Sequence, residues 1–118
     1  MRSANILIRS GKNEFIHPVV VAETVAEQRQ GLMGNKTPQT MVFDFKDAGI
    51  YQFWMKNTPA PLDIVFCAPG GIVVDIVSGI PYSEDSVGPH LPVNLVIEFP
   101  AGFCNSKNIR NGDFIKLL

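Results

Sequence analysis

At 118 residues and 13.0 kDa the chain has the length of one domain, residues 1–118, enough to bury about two thirds of its unfolded surface. A composition 46% apolar and 18% charged excludes disorder and excludes a highly charged coiled coil. The net charge of −1 and pI of about 6.1 leave no global basic field to draw in nucleic acid or anionic lipid.

Ten glycines and nine prolines point to a turn-rich, mostly β domain. Residues 5–9 and 14–22 are β-branched-rich runs around Ser10-Gly11-Lys12-Asn13, a pattern of two strands and a turn. The period then changes. Thr24-Val25-Ala26-Glu27 fits a capping box, and a short helix is expected from Thr24 to Gln30, ended by Gly31 or Gly34. Residues 41–45 and 50–55 are expected strands. Residues 62–68 and 72–78 flank Pro69-Gly70-Gly71, the strongest hairpin signal in the chain. Residues 79–92 carry Pro81, Pro89 and Pro92 and read as a long loop, a flap over or beside the motif residues. Residues 93–99 form another strand, 101–108 hold a helical turn, and Asn111-Gly112-Asp113 turns into a last strand at 114–118. The expected fold is therefore a compact antiparallel barrel or jelly-roll-like sandwich of about eight strands with one or two short helices.

No apolar run approaches the ~18 residues of a membrane-spanning helix. The first nine residues contain no apolar stretch of secretory-leader length. Cys67 and Cys104 are the only cysteines, and Cys67 lies in an apolar run, where a free thiol behaves as a small hydrophobe. The expectation is a free-thiol protein of the cytoplasm.

The residues able to carry chemistry concentrate at 53–66. In a strand, Gln52, Trp54 and Lys56 share one face and Phe53, Met55 and Asn57 the other. Asp63 falls within an apolar strand, so its carboxylate requires a partner, with Lys56 and Asn57 nearest in sequence. Glu98, in Val96-Ile97-Glu98-Phe99, is a second acid among apolar neighbours; Asp75 reads as solvent-facing. Each has a plain structural alternative: Trp54 as core, Asp63 as a fold-fixing lock. His17 and His90 lack a second histidine at zinc-ligand spacing. No Gly-x-Ser-x-Gly elbow, phosphate loop or dinucleotide fingerprint is present, and neither cysteine sits in a nucleophile motif.

Gly31-Leu32-Met33, Phe53-Trp54-Met55-Lys56-Asn57-Thr58, and Pro61-Leu62-Asp63-Ile64-Val65-Phe66 resemble the core motifs of the uncharacterised bacterial and archaeal family called domain of unknown function 192. Glu98-Phe99-Pro100-Ala101-Gly102 and Asn111-Gly112-Asp113 are similar to its closing segment. The resemblance runs from Val19 to Leu118. It implies a compact β-barrel or jelly-roll-like domain with one early helix, whose motif residues gather near one end of the sheet as a shared polar patch.

Three functions fit these residues. The first is a binding module for a small polar ligand, with Trp54 as stacking surface and Lys56, Asn57 and Asp63 as polar contacts. The second is a metal-dependent hydrolase acting on nucleic acid: Asp63 with Glu98 or Asp75 would hold magnesium or manganese, Lys56 would steady a phosphate, and Asp63, Lys56 and Glu98 would be catalytic. The charge balance gives nucleic acid no support as a partner. The third is a structural or interaction protein in which the same residues only fix the fold.

Overall fold

The β1–β2 hairpin follows directly from its turn: Ser10 pairs with Asn13 across Gly11, which takes a φ of +58°. A computed structural model describes residues Met1–Leu118. Its strands are β1 (Arg2–Ser10), β2 (Asn13–Ala22), β3 (Met41–Gly49), β4 (Leu62–Cys67), β5 (Val73–Gly79), β6 (Val93–Pro100) and β7 (Phe114–Leu117). Two short helices accompany them, α1 (Val25–Gln30) and α2 (Phe103–Ser106). No helix is long and apolar enough to cross a membrane.

The seven strands form one sheet in the order β5-β4-β6-β3-β2-β1-β7. The mostly β expectation holds, but its details need three corrections. The ladder is not closed, so the molecule is a curled open sheet. Its outer strands meet at one end, where Val73 N donates to Asp113 O at 2.8 Å and Ile115 N to Gly71 O at 2.9 Å. The sheet is also not wholly antiparallel. β2 and β3 run parallel, with Val20 opposite Met41, because the connection through α1 carries the chain back to the same end before β3 begins. Finally, the strand expected at 50–55 is not formed, and the strand count is seven. Phe53 makes one isolated bridge to Val87, and Met55 N donates to Ser83 O. The facing segment contains Pro81 and Pro89, which have no N–H for a continuous ladder.

Alternation along the strands builds two cores. One collects Ile6, Ile8, Val19, Val21, Val42, Val65, Cys67, Val73, Ile97, Phe99 and Ile115. Every strand contributes to it, so the sheet curls around this cluster, and Cys104 of α2 and Ile109 close one end. The second core lies on the opposite face, where Met41, Phe43, Leu62, Ile64, Phe66 and Val96 pack with Leu32 and Met55. Leu32, just after α1, and Met55, in the chain between β3 and β4, cover it. Cys67 and Cys104 are free and buried; burial pushes both thiols up to about 12, which leaves them neutral core groups.

Candidate functional site

The covered face contains a groove of about 620 Å³. One wall is α1, held by the capping box read from the sequence: Glu27 N donates to Thr24 Oγ1 at 3.0 Å, and Thr24 N to Glu27 Oε1 at 3.1 Å. Helical spacing puts Val25, Gln28 and Arg29 on the side that faces the groove. The floor comes from β3 and β6 through Phe43, Phe45 and Glu98. The far wall is the segment after β3, which supplies Tyr51, Phe53, Trp54 and Thr58. Phe43 and Phe53 meet edge to face at 5.1 Å, and Phe45 stacks on Tyr51 at 3.8 Å, so aromatic contacts fix this irregular stretch where ladder bonds do not.

Gly31 closes α1 with a φ of +50°, a conformation that disfavours a side chain. A Cβ there would lie 3.7 Å from Glu98 Oε1 and 3.8 Å from Phe43 Cζ. The backbone thus passes directly over the acid before Leu32 enters the core and Met33 lines the groove.

Glu98 is only 4% exposed. It sits between Met41 on β3 and Ile64 on β4, both fully apolar neighbours. No protein donor bonds its carboxyl. Burial alone acts on it and pushes the carboxyl up to about 7. Since no buried side-chain oxygen in the chain is sealed without a partner, the carboxyl oxygens open onto the groove.

The other acids singled out in the sequence lie elsewhere. Asp63 pairs with Phe99 across the sheet while Glu98 pairs with Ile64, so the two acids project from opposite faces. Asp63 is half-buried and accepts from Gly102 N and Cys104 N, both at 3.1 Å, which ties β4 to the start of α2. Its donors are backbone amides; Lys56 and Asn57 are not among them. Asp75 accepts from His90 N at 2.8 Å and from the His90 ring. Asp63, Glu98 and Asp75 therefore do not converge, and no cluster of three His, Cys, Asp or Glu side chains that could hold a metal ion forms. The residues do not fit magnesium or manganese as a resident ion.

Trp54 is 44% exposed and lines the groove; Lys56 Nζ lies 5.1 Å from its ring centroid. Asn57 serves the backbone. It takes a φ of +56° in a turn where Thr58 N donates to Met55 O, and its carbonyl accepts from Gly34 N at 2.8 Å. The long segment after β5 lies beside this turn, with Tyr82 N donating to Thr58 O, and none of its residues enters the groove. Of the residues singled out in the sequence, Trp54 and Glu98 line the groove and Asp63 does not; Phe43, Arg29 and Met33 line it as well, without having been singled out as candidate site residues. The signal for Met33 was present in Gly31-Leu32-Met33; Phe43 looked like any strand residue.

Gly31-Leu32-Met33, and Phe53, Trp54 and Thr58 of the second motif string, meet Glu98 in this groove. The family model of DUF192, described as "Uncharacterized ACR", matches residues 6–117. The chain belongs to the DUF192 family. Two solved structures share its fold. A candidate transcription regulator from Sinorhizobium meliloti 1021 is 27% identical, with a TM-score of 0.92 over 98% of this chain and 94% of that one. A protein of unknown function from Novosphingobium aromaticivorans DSM 12444 is 28% identical, with a TM-score of 0.89 over 95% of this chain and 83% of that one. No curated protein matches the sequence.

Proposed function

We propose that this DUF192 domain is a binding module for a small organic molecule, seated in the groove between α1 and Trp54. One observation carries the reading: Glu98 is a buried carboxyl without a protein donor, open to a groove walled by aromatic rings. An unpartnered buried acceptor is destabilising unless something completes it. Apolar walls with a few placed polar groups are the general form of a ligand site, and the groove volume falls in the usual range.

A hydrolase reading has one point in its favour, since an acid titrating near 7 suits general acid–base work. The groove lining supplies no second carboxylate, histidine or cysteine to act with it. The metal-dependent nuclease is less favoured still, given acids on opposite faces. The name carried by the Sinorhizobium protein gains no support from this chain's net charge of −1. Two buried free thiols fit a reducing compartment such as the cytoplasm.

A fragment titration of ¹⁵N-labelled protein tests the module. Bound fragments should shift the amides of Gly31, Leu32 and Met33 and the indole N–H of Trp54, the only tryptophan. Shifts gathered instead around Asp63 and Arg110, or no shift from any fragment, would overturn it.

A further inference from the structure

We propose that the inner end of this groove takes an organic cation, an ammonium or guanidinium head on an apolar or aromatic body; this rests on the groove being a ligand site. The argument begins with the donor count at Glu98. An ionised carboxylate only accepts hydrogen bonds, and the protein offers it none. A head group that completes it must bring both donors and positive charge, the combination that makes the strongest hydrogen bonds. An anionic head would be repelled, and an apolar one would leave the carboxylate stranded.

The remaining lining agrees. Apart from Glu98, only Arg29 on α1 and Tyr51 in the segment after β3 can carry charge. Neither β3 nor β6 presents another charged group to the groove. Arg29 is exposed, makes no ion pair with Glu98, and stands on the helical wall. Its charge disfavours a second cationic centre on the ligand, so a single positive head is selected. Phe43, Phe53 and Trp54 supply ring faces and edges around the path to Glu98. Such rings attract cations held near their faces, as Lys56 Nζ already is over Trp54. The same rings would cover the apolar body of the ligand.

The test uses three probes of one shape: phenethylammonium, 2-phenylethanol and 3-phenylpropionate. Each is titrated against the full chain, followed by Trp54 fluorescence and the amides of Gly31 to Met33. At about pH 8.5 the ammonium should bind about tenfold more tightly than the alcohol, and the carboxylate not at all. With Glu98 titrating near 7, its ionised fraction falls as pH drops, so ammonium affinity should fall nearly tenfold by about pH 5.5, towards that of the alcohol. Glu98→Gln should weaken the ammonium about tenfold and leave the alcohol unchanged. If that variant does not fold, the pH arm on the parent protein decides. Charge-blind binding, or a flat pH profile, overturns the cation while the groove stands. No response at the groove from any of the three, at either pH, removes both readings.

Discussion

Glu98 occupies a position where β6 is otherwise apolar on both sides, and the protein supplies nothing to offset its burial. Its carboxyl titrates near 7 in the folded chain and at an ordinary 4.5 when exposed. Between those values the folded state holds a proton that the unfolded state has lost. Stability from this group is therefore fully present below about 4.5 and is lost as pH rises through about 7. The loss should approach about 3 kcal/mol. Denaturant melts of the parent and Glu98→Gln across this window should diverge steadily, with the variant the more stable at neutral pH. Parallel curves would mean that the carboxyl is hydrated or paired in solution. A site that keeps such a residue gives up stability at one point, which is the pattern expected where function rather than folding sets the side chain.

At the level of elements, Asp63 shows the opposite economy. Its carboxylate receives two amides at the entry to α2, a four-residue helix with no side-chain cap of its own. Asp63→Ala should leave those amides without their acceptor and cost about 1 to 3 kcal/mol. A thermal melt equal to the parent's would show that water replaces the carboxylate freely. Much of the element layout was legible from local chemistry: the Thr24 capping box, the Pro69-Gly70-Gly71 hairpin and the Ser10 to Asn13 turn each depend on residues a few positions apart. Residues 50–55 misled because their apolar alternation is real, with Phe53 and Met55 inward and Trp54 outward, yet no partner strand faces them. The separation of Asp63 from Glu98 was not legible at all. Which face a strand residue takes relative to another strand depends on register, and a shift of one residue reverses it. Asn57 was read for its side chain, whereas its backbone conformation is what the turn uses.

For the molecule as a whole, the two cores divide the labour. The inner one holds the sheet in its curl, and the outer one, smaller and bordered by α1 across the groove, leaves room for that groove. The seam between β5 and β7 sets the extent of that curl, and Gly71 is the residue that permits it. With φ at +89°, a Cβ there would stand 2.5 Å from Ile115 O and 2.9 Å from the Phe114 ring. Gly71→Ala must therefore strain the turn and part the two strands. An open sheet has two free edges, each a row of unpaired N–H and C=O groups able to recruit another chain. Here the edges occupy one another where they meet, so the seam works as protection against self-association. Gly71→Ala protein should form higher oligomers or thioflavin-positive aggregate at concentrations where the parent keeps its own state, visible by light scattering. If it stays as dispersed as the parent with an unchanged melt, the guard lies elsewhere, in the short length of β7 itself.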